Sequence, residues 1–123
     1  MISMMDKSKI DYSLYLVTDR ELSLGRSNLD IVMAAVNGGA TLVQLREKKA
    51  TSAEFYKEGL MIRDFLRSRR FPLIINYGID LALVLDADGV HLGSDDMPLD
   101  IARKILGPDK IIGASVFTVQ DAI

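Results

Sequence analysis

The sequence predicts an α/β fold on a parallel sheet, and three observations lead there. Short aliphatic runs alternate with helix-patterned segments over residues 14–123, giving about five βα units. The run at residues 41–48 begins as a strand and ends in charge. Strand side chains alternate, so Val43, Leu45 and Glu47 share one face, and Gln44, Arg46 and Lys48 the other. Two later runs repeat this division: Val90 and Leu92 oppose His91, while Ile112, Ala114 and Val116 oppose Gly113 and Ser115. An open sheet with helices on both sides would be apolar on both faces. One aliphatic face and one small or polar face fit a barrel, whose outside meets helices and whose upper interior meets a ligand. The expected fold is a truncated TIM (βα)8 barrel of about five βα units, in one domain over residues 1–123. An open flavodoxin-like parallel sheet is the alternative.

The elements follow in order. Residues 14–18 read as a first strand, with Asp19 and Arg20 at its C-terminal end. A polar loop then leads to Asn28, an N-cap candidate for a helix over residues 29–37, with Asp30 near its positive end. Gly38-Gly39 stops it. After the charged strand, Thr51 or Ser52 caps a longer helix over residues 53–68, where Phe55, Leu60, Met61, Phe65 and Leu66 give a loosely helical pattern. Arg67, Arg69 and Arg70 read as its solvated C-terminal end. Pro72 opens a strand at 73–76, followed by a short apolar helix at 79–85. Asp86 and Asp88 belong to a turn before the strand at 89–93. A helix at 99–106 ends at Gly107-Pro108, a fifth strand covers 110–116, and another helix starts at 118–123.

Composition narrows the function. Lys and Arg number 15 against 17 Asp and Glu, so no bulk charge draws the chain to nucleic acid or to anionic membranes. The chain has no cysteine, which excludes disulfides, thiolate metal sites and thiol nucleophiles within it. Asp6, Lys7 and Lys9 interrupt the apolar core that a signal peptide needs, and no apolar run is long enough to span a bilayer. A cytoplasmic protein is expected.

In both candidate folds, ligands bind at the C-terminal ends of the strands. Those ends carry Thr18 and Asp19, Arg46 and Lys48, Asn76 and Tyr77, Asp95 and Asp96, and Ser115 and Phe117. One amide and two cations on a shared face suit an anionic, phosphorylated ligand. Asn76 reads as a ligand contact or a structural hydrogen bond, and Asp96, just before Met97-Pro98, could be a helix N-cap. His91 reads as interior filling that hydrogen-bonds a neighbour. Ser115, with no base placed beside it, is no nucleophile on its own.

With these residues assembled, the chain resembles thiamin-phosphate synthase. The matching stretches are LYLVTDR, NGGATLVQLREK, IIN, DLAL, DADGVHLG, DDMP and GASV. The resemblance implies a transferase of thiamin biosynthesis, joining hydroxymethylpyrimidine diphosphate to a thiazole phosphate with release of pyrophosphate. It implies that Gln44, Leu45, Arg46, Glu47 and Lys48, with Asn76 and Ser115, hold the pyrimidine diphosphate. Arg46, Lys48 and Ser115 would act in the reaction, with Arg46 and Lys48 supplying charge to the leaving group. Asp96 would be one of two aspartates holding Mg²⁺. The family's other aspartate is replaced by Tyr77, a phenol that is neutral at pH 7 and a poor Mg²⁺ ligand. Its frequent histidine after the strand-five serine is Phe117. A non-catalytic or regulatory binder of the pyrimidine diphosphate, and an inactive truncated homologue, are the alternative functions. The outer strands of such a fragment each lack a neighbour, so a homodimer or larger assembly covering the edges is expected.

Overall fold

The computed structural model describes residues 6–123, so Met1 to Met5 of the opening stretch lie outside the described residues. Five parallel strands form one sheet: β1 (Tyr15–Val17), β2 (Leu42–Leu45), β3 (Leu73–Asn76), β4 (Gly89–Leu92) and β5 (Ile111–Ala114). Between and after them run α1 (Asn28–Asn37), α2 (Ser52–Arg69), α3 (Ile79–Leu85), α4 (Leu99–Leu106) and the short α5 (Val119–Ala122). Spatial order equals chain order, β1-β2-β3-β4-β5. Each crossover therefore moves the chain one strand over in the same direction. A right-handed crossover repeated in one direction puts every helix on the same face of the sheet. A flavodoxin-like sheet starts inside and winds both ways, in the order 2-1-3-4-5, so that alternative is excluded. The result is an open sheet wound as a barrel is wound.

The register decides which residues share each face. Leu16 pairs with Val43, Val43 with Leu73, Ile75 with Val90, and Val90 with Ile112. That face packs against Val32 and Val36 of α1, Ile62 and Leu66 of α2, and Ala82 and Leu85 of α3. Fully burying such aliphatic side chains contributes roughly 1.5–3 kcal/mol apiece. The opposite face carries Tyr15, Gln44, Asn76 and His91, again in register. Gly89 lies on this face as well, and a Cβ there would sit 2.2 Å from the Ile111 carbonyl oxygen. Only glycine lets β4 and β5 approach this closely.

The caps correct one sequence expectation and decide between two residues in another. Ser27, not Asn28, caps α1 by accepting the Asp30 N–H, and Asn28 becomes the first helical residue. Both residue types cap well, so the choice falls to which side chain has another partner, and Asn28 has two carboxylates. Thr51 caps α2 in a capping box with Glu54. The fifth strand is shorter than the sequence indicates because Lys110 turns away from it. Its ammonium donates to Asp86 Oδ1 at 2.8 Å and to the Ala87 carbonyl at 2.7 Å.

Asp86 and Asp88 sit in the expected turn and also hold it shut. Asp86 ends α3 in the left-handed region, at φ 49°, and Asp88 accepts the Leu73 N–H at 2.8 Å. Arg67 belongs to the same cluster, donating to the carbonyl and carboxylate of Asp86. Arg69 reaches Asn37 and lies over the Phe65 ring. The basic end of α2 is therefore anchored rather than simply solvated. No helix among the described residues is long and apolar enough to cross a membrane.

The hydrogen bond from Lys110 holds the Asp86 carboxyl below its ordinary pKa, whereas burial raises that of Asp88. A lowered carboxylate contributes stability that is present above its unfolded pKa and lost as pH falls through the folded one. Asp88 works in the opposite sense, losing its contribution as pH rises. Asp86→Asn keeps a residue that tolerates positive φ but removes the charge facing Lys110. Because Asp86 is exposed, solvent screening limits the expected loss at pH 7 to on the order of 1 kcal/mol. Urea unfolding across pH should show the gap from the unaltered chain closing below about pH 4. A pH-independent gap would contradict the ion-pair assignment.

Candidate functional site

On the helix-free face a row of hydrogen bonds crosses the first three strands. Asn76 Nδ2 donates to Gln44 Oε1 at 2.8 Å, and Gln44 Nε2 donates to the Tyr15 hydroxyl at 3.0 Å. Both atoms of the Gln44 amide are thereby oriented, and the residue is only 4% exposed. Asn76 Oδ1 and the Tyr15 O–H remain able to face a ligand. Burial raises the Tyr15 phenol above its ordinary pKa, and the Gln44 N–H partly offsets this by stabilising the phenolate. Tyr15 joins the row without having been singled out in the sequence. Its alternation with Leu16 was the available signal.

Across β4 and β5 the row continues with His91 Nε2 against Ser115 Oγ at 2.8 Å. The sequence had left Ser115 without a base, and the structure supplies one. The pair forms because Gly113 is the register partner of His91. A Cβ on Gly113 would lie 2.6 Å from His91 Nδ1, so a larger residue would push the ring away.

The tip of β2 departs from simple alternation. The strand ends at Leu45, so Lys48 lies beyond it in a bend, exposed, with no ion pair among the described residues. Arg46 keeps its place near the row. Its N–H donates to Thr18 Oγ1 at 2.9 Å, and its guanidinium approaches Asp19 Oδ2 at 3.4 Å. The side chains of Leu45 and Glu47 take no part in the row. Leu45 is in the helix-facing core, and Glu47, 6% exposed, accepts from Arg20 and Asn28. A substrate contact through these two side chains is therefore not what the fold offers.

Asp96 is not the α4 N-cap, and one of its two carboxylate oxygens closes a local turn. Pro98 takes the cap position without a side-chain bond, and Asp96 Oδ2 accepts the Gly93 N–H at 2.6 Å. Tyr77 stands at φ 47° with its N–H bonded to the His91 carbonyl, and its phenol is half exposed. No group of three His, Cys, Asp or Glu residues gathers to hold a metal among the described residues. Tyr77 stands in place of one of the two aspartates that the resemblance implies for Mg²⁺, which leaves Asp96 as the remaining carboxylate of that pair. Asp96 and Ser115 do line one open cleft of about 330 Å³, with Leu92, Met97 and Val116. Phe117 points largely into solvent.

A singly wound parallel α/β sheet, with amide, hydroxyl, imidazole and guanidinium groups gathered on its helix-free side, defines a barrel-type α/β protein. Comparison with known proteins gives the family. A family model described as thiamine monophosphate synthase matches residues 14–123. Thiamine-phosphate synthase of Syntrophomonas wolfei is 54% identical over 112 residues, covering 91% of this chain and 54% of that protein. The enzyme of the same name from Caldanaerobacter subterraneus is 46% identical, over 94% of this chain and 54% of that protein. A solved structure titled thiamine phosphate pyrophosphorylase, from Pyrococcus furiosus, superposes with TM-score 0.82 at 40% identity, over 89% of this chain and 52% of that one. The chain belongs to the thiamine monophosphate synthase family. It spans about half the length of the curated relatives it matches.

Gln44→Leu tests the row. It leaves Asn76 and Tyr15 unpaired on this side, at an expected cost of roughly 1–3 kcal/mol in denaturant unfolding. It should also raise the Tyr15 phenol further, because the donor that stabilises the phenolate is gone. Ultraviolet difference titration against Tyr15→Phe would report this, and a lowered phenol would contradict the assigned bond.

Proposed function

We propose that this chain binds hydroxymethylpyrimidine diphosphate at the strand tips of the helix-free face and works in thiamin phosphate formation. The observation that carries the reading is the oriented Gln44 amide, held between Tyr15 and Asn76 with Arg46 at the tip of the same strand. An aminopyrimidine presents donors and acceptors side by side, which suits Asn76 Oδ1 and the second N–H of Gln44. The diphosphate then extends toward Arg46 and Lys48. A guanidinium binds phosphate oxygens in a fork, and an ammonium adds a mobile point charge.

In the reaction of this reading, the bond from the pyrimidine methylene to the diphosphate oxygen breaks, and the electron pair leaves with pyrophosphate. The thiazole nitrogen forms the new bond to the methylene carbon. Charge grows on the leaving group, so Arg46 and Lys48 contribute more in the transition state than in the ground state. Ser115, held by His91, would contact the pyrimidine from the cleft it shares with Asp96. If Mg²⁺ binds, Asp96 together with oxygens of the diphosphate would hold it, and it would supply further neutralisation of the leaving-group charge.

A second reading is binding of the same diphosphate without turnover. It draws support from Tyr77 at the β3 tip and from the engagement of Asp96 in its own turn. Calorimetric titration beside a turnover assay separates the two. Arg46→Ala is expected to weaken pyrimidine diphosphate binding about tenfold or more, as loss of a charged hydrogen bond of roughly 1.5–3 kcal/mol requires. Unchanged affinity would remove Arg46 from the site. Mg²⁺ titrated alone should give no saturable heat, and a saturable site would show that the carboxylates rearrange.

A further inference from the structure

Glu47 stands between the two proposed phosphate-binding cations, yet points away from the ligand. Its carboxylate is buried on the helix side of the sheet, where Oε2 accepts from Arg20 Nε at 2.7 Å and from Asn28 Nδ2 at 3.2 Å. Arg20 reaches the same oxygen with a second nitrogen at 2.6 Å. Oε1 accepts the Lys49 N–H at 3.4 Å. One carboxylate thus ties the loop after β1, the first turn of α1 and the bend that carries Lys48. Asn28 completes the link to α2 by donating to Glu58 at 2.7 Å. On the other side of Arg46, the Thr18 hydroxyl accepts its N–H and donates to its carbonyl.

We infer that Glu47, with Arg20 and Asn28, is a positioning clamp that sets the spacing of Arg46 and Lys48. The inference rests on the reading of those two cations as the diphosphate site. Two further observations favour positioning over plain stability. Asn28 is wholly buried, and its Oδ1 has no partner, so stability alone does not account for an asparagine there. The Glu47–Arg20 ion pair, with Arg20 half exposed, is weak support for stability because solvent screens it, but it does hold geometry. The carboxylate is also required by valence: both oxygens accept. An amide at position 47 would turn an N–H toward either Arg20 or the Lys49 N–H.

The test is calorimetric titration of the full chain with inorganic pyrophosphate. Glu47→Gln should weaken binding about tenfold although it touches no phosphate. In an Arg46→Ala background the same change should weaken binding by no more than about threefold, because one of the cations it positions is already gone. A purely structural role would give the same loss in both backgrounds, and equal losses would overturn the clamp. Arg20→Met serves as the second variant, since Arg20 is half exposed and its removal spares the core. It should also weaken binding, again less so beside Arg46→Ala. Unaltered affinity in both Glu47→Gln and Arg20→Met overturns the clamp and leaves the site standing. Failure of the unaltered chain to bind pyrophosphate overturns the site and the clamp together.

Discussion

The whole arrangement depends on winding in a single direction. Because each βα unit adds its strand beside the last, α1 to α4 cover one face and leave the polar row on the other. Sheet register then becomes side-chain chemistry. Parallel partners share a face, so Tyr15, Gln44, Asn76 and His91 are drawn together although up to 76 positions separate them, from 15 to 91. α1 to α4 do not compete for that surface, and the polar side chains of the row satisfy one another.

The same geometry explains why the two ends of the sheet differ. At the N-terminal ends of the strands, Asp86, Asp88, Lys110 and Arg67 bind main-chain groups and one another, closing a turn and anchoring α2. Every polar group there serves the chain itself. At the C-terminal ends, Asn76 Oδ1 and Lys48 still have capacity to meet a ligand, as does the O–H of Tyr15 beside Gln44. A site needs this imbalance, and the fold produces it by letting strands end where loops begin.

Buried charge near the site is handled by pairing rather than by exposure. Glu47 lies deep in the helix side yet never lacks donors, and Arg46, one residue earlier, faces the other way. Alternating directions at a strand tip therefore give one residue for the scaffold and the next for the ligand. The proposed diphosphate site and its support are two sides of one short backbone segment.

By itself the sequence determined the element order, the parallel α/β class, the aliphatic face and the polar strand that heads the site. These follow from local periodicity and from turn and cap residues, which act over a few positions. It also carried the family pattern, from LYLVTDR to GASV. Tertiary structure alone decided the rest. That Ser27 caps α1 while Asn28 turns inward depends on carboxylates from the segment after β2 and from α2. That Ser115 has a histidine beside it depends on Gly113 being cross-strand from His91. That Asp96 closes its own turn, and that Lys48 falls past the end of its strand, depend on where pairing stops. Such outcomes are settled by contacts between distant segments, and alternation within one segment cannot report them.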